Sequence, residues 1–384
     1  MMSATVITMN KNPKKINSKI KNLIYRIVYF LILIVFIGCT SNLKKSDLNN
    51  DHSKYLKNED SDFIYMTMNV ENLFDTLHDE GKNDYTFLPL EKKQNKEIKD
   101  ECKKEKISFR SDECLNLNWN SQLLNFKLNQ ISQVIKSIDN GKGPDILSLV
   151  EVENLSVLNQ LVENNLKELG YKTAILIEGD DPRGIDNALI SKWPLSRPAI
   201  NHRIPYKNIE KPDEPFLSRG LLEVELRTPA STTVTVLVAH LPSQAASTIY
   251  RGQAIEYIKN KISELAKAKK AVILAGDFNI TDEEEAEQKY WSQKISEVAF
   301  VSHLMGCKEC EGTHNYKGKW SFLDAISVSK NFELSGYKPQ FDTVQVVKTS
   351  NNSKPNGSPL RFDPENKKGV SDHFPLLIKF KKLK

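Results

Sequence analysis

"AVILAGDFNITDEE", residues 271–284, begins as an apolar run suited to a buried strand and stops on Gly276, Asp277, Phe278 and Asn279. In an extended chain residues at i and i+2 share a face, so Asp277 and Asn279 would point to one place. One reading is a strand followed by an Asx-type turn that caps a helix begun by Thr281, Asp282 and Glu283. The other is that a carboxylate and a carboxamide are paired where a strand ends because one ligand needs both. The rest of the chain decides between them.

Apolar runs and alternation predict further strands at 63–69, 145–152, 171–178, 185–191, 220–226, 233–240, 322–329 and 374–380, with this one at 271–277. Apolar residues recurring at three and four predict helices at 121–138, 155–169, 246–267 and 282–299. So many strands exceed the needs of one doubly wound sheet. The pattern predicts two packed sheets with helices outside.

Polar residues collect at the ends of these strands, where sheets flanked by helices usually keep their chemistry. Asn69 ends the first in "MTMNVENLFDT", and Glu151 follows the apolar run of "PDILSLVEVEN". A charge at the end of so apolar a run needs solvent or a cation. His240 closes "VTVLVAHLPS", Asp324 lies in "WSFLDAISVS", and Asp372 with His373 opens "VSDHFPL". Singly, each reads as structural; together and in this order they read as a site.

The order resembles the endonuclease/exonuclease/phosphatase superfamily of metal-dependent phosphoesterases, with a deoxyribonuclease-like fold. "MNVENLF", "EVEN", "RGIDNALI", "HLPS", "GDFN", "WSFLDAI" and "SDHFPL" carry the resemblance from about residue 62 to the C-terminus, and "GDFN" and "SDHFPL" are its most specific parts. It implies an α/β (α+β) four-layer αββα sandwich, two packed mixed β-sheets flanked by helices. It further implies that Asn69 and Glu151 hold a divalent cation. Asp277 and Asn279 would orient the scissile phosphate and the attacking water, and His240 would face the phosphate. Asp324 would orient His373 beside Asp372, which the resemblance places among the metal residues. Val150 stands before Glu151 where the family often has glutamine, and Ala325 follows Asp324 where a larger polar residue is common. Glu153 shares a face with Glu151 by period two, so the preference for Glu151 comes from the resemblance alone. Arg183, in "DDPRGIDNALI", would reach a phosphate or form a salt bridge; both readings stand.

The residue types suit phosphodiester hydrolysis, which requires an in-line water, neutralised non-bridging oxygens and help for the leaving oxygen. Mg²⁺, or Mn²⁺ in its place, prefers oxygen ligands, which Glu and Asn supply better than a histidine cage. An imidazole held by a carboxylate is fixed in one tautomer and stabilised when protonated, so His373 with Asp324 reads as a general base or a phosphate contact.

The N-terminus bears on location. Residues 11–26 carry Lys11, Lys14, Lys15, Lys19, Lys21 and Arg26, and an apolar run from Ile27 to Ile37 ends at Gly38 and Cys39. "FIGC" resembles a bacterial lipoprotein signal, with residues 1–38 removed and Cys39 lipidated; an uncleaved signal anchor is the alternative. Removing the six basic and no acidic residues of 1–38 turns the formal charge from +5 to −1. The basicity belongs to the signal, and no global positive field argues for nucleic acid. Residues 39–61 read as a flexible tether, 62–384 as the domain, about 90–118 as a charged surface insertion, and the polar stretch 349–369 as a loop leading into the last strand. Cys102, Cys114, Cys307 and Cys310 are an even set compatible with disulfides in an exported protein or with free thiols, and "CKEC" alone is a weak zinc signal.

The expected function is that of an exported, membrane-tethered Mg²⁺-dependent phosphodiesterase, a nuclease acting on DNA or RNA. The alternatives are a phosphatase or sphingomyelinase-like phospholipid hydrolase using the same site, and a noncatalytic binding lipoprotein. Partners are then a nucleic acid, or a phospholipid or other phosphoester, and the bacterial membrane through Cys39, with the outer membrane or cell surface and the membrane face left open; protein partners stay open.

Overall fold

The strand β1 (Phe63–Leu73) divides its side chains between two cores. Phe63 and Tyr65 enter one, and Ile64, Met66, Met68 and Val70 enter the other. A strand buried on both faces reads as a continuous apolar run, which is why these residues are legible as a strand without alternation. The computed structural model describes residues 62–384, so the signal, Cys39 and the tether lie outside the described residues.

β1 belongs to a six-stranded mixed sheet with β2 (Ile146–Val152), β3 (Thr173–Leu176), β4 (Asp186–Ser191), β13 (Tyr337–Val346) and β14 (Leu376–Lys382), in the order β13-β14-β1-β2-β4-β3. The second six-stranded sheet holds β5 (Ile200–His202), β6 (Leu221–Arg227), β7 (Thr233–His240), β8 (Val272–Asp277), β9 (Ala299–Val301) and β12 (Asp324–Ser329), in the order β5-β6-β7-β8-β12-β9. A separate hairpin joins β10 (His314–Tyr316) to β11 (Lys319–Ser321). The pairs β1–β2 and β7–β8 are parallel, and the other pairings in both sheets are antiparallel.

Both sheets bury one face against the other. Phe63, Tyr65, Ile146 and Leu189 of the first meet Val234, Val236, Val238, Ile273 and Ile326 of the second in one apolar cluster. Helices α1 (Lys96–Lys103) and α2 (Ser108–Asn116) follow β1, and α3 (Ser121–Lys136) and α4 (Leu155–Gln160) cover the outer face of the first sheet through Leu124, Leu128, Ile131, Ile135, Val157 and Leu158. On the second sheet α5 (Thr248–Lys267) buries Ala254, Ile255, Ile258, Ile262 and Leu265. The result is the four-layer αββα sandwich.

Several elements differ from the sequence reading. The helix expected over 282–299 ends early: α6 is Asp282–Gln288, Lys289 turns left-handed (φ 56°), and a π turn at Tyr290–Lys294 precedes β9. Glu285 supplies the reason, because its carboxylate accepts the backbone N–H of Trp291 (2.8 Å) and Ser292 (3.0 Å) and replaces the helical partners. The helix expected over 155–169 likewise gives way after Gln160 to a π turn and a short 3-10 turn capped by left-handed Gly170. β13 was not expected. It sits at a sheet edge, the place that tolerates its Pro339. The charged insertion folds into α1 and α2, whose Cys102 and Cys114 form a disulfide; Cys307 and Cys310 form a second. No helix among the described residues is long and apolar enough to cross a membrane.

Asp186 generates a pH prediction. It opens β4 with Oδ1 accepting the Gly179 N–H (2.8 Å), while Oδ2 is buried without a partner. Burial pushes its pKa up from 3.8 to about 7. The folded state therefore keeps a proton that the unfolded chain gives up. This stability is full below the unfolded value and is lost as pH rises through about 7. Asp186→Asn, which mimics the protonated acid, should stabilise the protein at pH 8 by on the order of a few kcal/mol and change little at pH 4. Denaturant melts at the two pH values measure it; an equal effect at both would show that burial does not hold the proton.

Candidate active site

The C-terminal ends of β1, β2, β7 and β8 bring the polar residues to one edge. In the second sheet His240 is in register with Asp277, and Asp277 with Asp324. Gly276 (φ 134°) is required there, because a Cβ would stand 1.9 Å from the Ala239 carbonyl oxygen. In the first sheet the β1–β2 register shifts between Asn69 and Leu73, with Glu71, Asn72 and Glu151 all at positive φ. That bulge changes the expected geometry of Glu151 and Glu153, since period two no longer holds across it. Glu153 accepts the N–H of Asp75 (2.6 Å), whereas Glu151 accepts from Asn69 Nδ2 (3.2 Å) and Asn72 N (3.0 Å).

Asn69 joins the sheets. Its Nδ2 donates to Glu151 Oε1 and to Asp277 Oδ2 (3.0 Å), and its Oδ1 accepts the Glu71 N–H (2.8 Å). His240 Nε2 lies 3.6 Å from Asp277 Oδ2 and 3.8 Å from Glu151 Oε1. His373 Nδ1 is 2.7 Å from Asp324 Oδ2, and its Nε2 is 3.8 Å from the same Asp277 oxygen. Residues from both sheets thus surround the Asp277 carboxylate. Asn279 arrives differently from the expectation. It lies beyond the end of β8 at φ 53°, where its N–H donates to Asp277 Oδ1 (2.8 Å) and its Nδ2 to the Leu241 carbonyl (3.1 Å). The Asx turn and the site are one structure, and Thr281 caps α6 just after it.

The electrostatics divide the two histidines. Burial, with Arg219, Arg183 and His373 nearby, holds His240 well below the ordinary imidazole pKa, so it is neutral. Burial also acts to lower His373, but the carboxylates of Asp324 and Asp277 outweigh it and hold His373 well above that value, so it is a cation. Asp277 is pushed up to about 7 by burial and by Asp324 and Glu151, against the pull of His373. Arg183 pairs with Asp181 (3.3 Å) and is half exposed (52%), so the salt bridge exists at the rim of the site. Arg219, buried and bonded to Asp181 Oδ2 (2.7 Å) and to the Leu241 carbonyl (3.0 Å), fixes that rim.

Asp372 lies with His314 and His373, each offering one ligand atom within 4.8 Å of the others; Glu151 is not part of that set. Burial would raise the Asp372 pKa, but His373, Arg361 and His314 hold it below the ordinary value. Sequence reasoning missed His314, as well as Lys127 and Arg361, which hold Glu71. Lys127 carried a signal, being a lysine on the apolar stripe of α3 among Leu123, Leu124, Leu128 and Ile131. His314 carried none, since its contact with His373 comes from tertiary folding.

The family model described as Endonuclease/Exonuclease/phosphatase family matches residues 109–382. The chain belongs to this family. Solved structures with the same fold include an endonuclease/exonuclease/phosphatase family protein from Bacteroides thetaiotaomicron (17% identity, 83% of this chain and 98% of the other, TM-score 0.52). Another is an endonuclease/exonuclease/phosphatase from Beutenbergia cavernae (16%, 84% and 72%, TM-score 0.53), and a third is a mannosyl-6-phosphatase from Bacteroides thetaiotaomicron (15%, 83% and 99%, TM-score 0.51). A search of curated proteins finds no match.

In this family member the Asp324–His373 pair should act as a unit. Asp324→Asn removes the charge that keeps His373 protonated, so the His373 imidazole should titrate lower by NMR. Hydrolysis of a generic phosphoester should fall about a hundredfold or more in Asp324→Asn and in His373→Ala, with the double variant no worse than either. Losses that multiply in the double variant would show two independent roles.

Proposed function

We propose that the protein is a Mg²⁺-dependent phosphodiesterase of this family, exported and held to a bacterial membrane through lipidated Cys39, with nucleic acid as its substrate. The observation that carries the chemistry is the convergence of Asn69, Glu151, His240, Asp277, Asp324 and His373 on one point. The donor set fits a hard cation. Glu151 and Asp277 are carboxylates held by one amide, and their proximity helps raise the Asp277 pKa, a repulsion that a cation relieves. Glu151 would hold the metal, with Asn69 orienting it. Bound there, Mg²⁺ supplies neutralisation of the phosphoryl oxygens.

The remaining steps belong to the chain. Asp277, whose pKa stands at about 7, orients the attacking water and accepts its proton. His373, kept cationic by Asp324, donates to a phosphoryl oxygen; of its two expected roles the charge favours this one over general base. Neutral His240 contacts the phosphate without adding charge, Asn279 holds the turn that aims Asp277, and Arg183 guards the rim. Two disulfides suit an oxidising compartment outside the cytosol.

A second reading, a phosphatase for a small phosphoester, is favoured by one observation. A groove of about 880 Å³ runs between α2 and the 354–368 loop, and its Arg361 also bonds to Glu71. Asp112, Glu113, Asp363 and Glu365 line it against Lys354, Arg361 and Lys368. With four carboxylates against three cations the groove offers a phosphate backbone little net attraction, and its polar lining suits a neutral polyhydroxylated group, in keeping with the mannosyl-6-phosphatase neighbour.

Purified protein given DNA, RNA, sphingomyelin vesicles and sugar phosphates with Mg²⁺ or Mn²⁺ should cleave polynucleotide. Release of phosphate from sugar phosphates alone would move the assignment to the second reading, and cleavage of vesicles alone to a phospholipid hydrolase. No hydrolysis at all, with metal shown to be bound, would make it a binding protein. Glu151→Gln should weaken Mg²⁺ binding in calorimetry while the fold survives, and unchanged affinity would remove Glu151 from the metal centre. Cys39→Ser should abolish metabolic lipid labelling; a labelled variant would remove the anchor.

A further inference from the structure

A third imidazole stands at the site without a part in this chemistry. His314 opens β10 and forms an antiparallel bridge with His373, their ring centroids 4.8 Å apart. Its place is fixed by its neighbour. Thr313 accepts the Asp324 N–H at Oγ1 (3.1 Å) and the Phe374 N–H at its carbonyl (2.8 Å), and its own N–H reaches the Ser321 carbonyl (3.0 Å). The hairpin is thereby tied to both sides of the Asp324–His373 pair, and the His314 ring makes no hydrogen bond among the described residues.

His373 engages Asp324 through Nδ1, so Nε2 is the edge left for a ligand, and it lies 3.9 Å from Asp372 Oδ1. A carboxylate on one imidazole nitrogen and a metal on the other is a recurrent arrangement, because the carboxylate fixes the tautomer and raises ligand basicity. The ligand atoms of His314, Asp372 and His373 all lie within 4.8 Å of one another. Tetrahedral ligands 2.0–2.1 Å from zinc stand roughly 3.4 Å apart, so side-chain rotations that bring the ligand atoms together by up to about 1.4 Å would close the site.

The donor chemistry separates this set from the Glu151 centre. Two imidazole nitrogens and a carboxylate favour Zn²⁺ or Co²⁺ over Mg²⁺, which prefers oxygens. We propose that His314, Asp372 and the Nε2 edge of His373 form an inhibitory zinc site. Zinc there displaces the Nε2 proton of His373 to solvent, occupies the edge that would otherwise face the phosphoryl group, and hydrolysis stops. The inhibition rests on the hydrolase reading; the binding does not.

The experiment uses the full chain in detergent with saturating Mg²⁺. Titrated Co²⁺ should bind once per chain and give the visible absorption of a four- or five-coordinate nitrogen–oxygen site, which Zn²⁺ bleaches. The signal should persist in Glu151→Gln and vanish in His314→Ala and His314→Gln, with circular dichroism melts certifying the fold. Should the alanine variant unfold, the glutamine variant carries the test. In hydrolysis assays both His314 variants should need about tenfold or more zinc for half-inhibition, with the zinc-free rate unchanged. An unaltered Co²⁺ spectrum in the folded variants, equal zinc sensitivity, or no Co²⁺ binding by the wild type would overturn the site. If no phosphoester is hydrolysed, the functional reading fails while the Co²⁺ spectrum still decides the site.

Discussion

The Asn69 amide reaches from the first sheet to Asp277 in the second, and the site depends on that crossing. It is a short-range contact set by a long-range constraint. Asn69 ends the apolar run of β1 and Asp277 ends β8, so the amide meets the carboxylate only if the sheets pack in one alignment. A strand advances roughly 3.3 Å per residue, so a slip of one residue would pull a 3.0 Å hydrogen bond apart. Interdigitation of Phe63, Tyr65 and Ile146 with Val236, Val238 and Ile273 prevents the slip. The apolar interface is therefore the device that positions the polar edge.

Much of this was legible because both sheets are covered on both faces. Strands such as β7, with Val234, Val236 and Val238 in one core and Leu237 and Ala239 in another, declare themselves by unbroken apolar character. What stayed hidden lies where local pattern and tertiary context part. β13 contains Pro339, which argues against an interior strand and is tolerated only because β13 is an edge. Residues 282–299 keep helical periodicity through Lys289, but periodicity does not report that Glu285 offers the backbone other partners. The same limit applies at the site. Period two puts Glu151 and Glu153 on one face, whereas the bulge at Glu151 gives them separate partners, and His314 meets His373 only through the hairpin.

Arg183 and Lys127 show how a charged residue is read. Arg183 had two readings, and the exposed guanidinium does pair with Asp181, at a rim stiffened by buried Arg219. Lys127 was hidden among the leucines of α3. Its ammonium donates to the carbonyls of Glu71 (3.0 Å) and Val370 (2.8 Å) and lies 4.4 Å over the Phe362 ring. It thus ties the bulge of β1 to the segment that leads into Asp372.

That placement decides which carboxylates are available. Burial and Asp372 push the Glu71 pKa up, but Glu71 has Lys127 near and Arg361 bonded to it, so its charge is met inside the fold. Glu151 also feels the charges of Lys127 and Arg183, but among the described residues no lysine or arginine is bonded to it or to Asp277. Among the described residues their ion-pair contacts are to His240 and His373, and their hydrogen bonds come from amides. His240 is held neutral, so His373 is the one cation among these contacts, and its Nδ1 is committed to Asp324. Asp277 is buried and Glu151 partly so, and carboxylates that share one amide are costly unless a counter-charge arrives. Arg361 is bonded to Glu71, whereas Glu151 and Asp277 share one amide with no bonded lysine or arginine among the described residues, which is the physical basis for placing the proposed metal at Glu151.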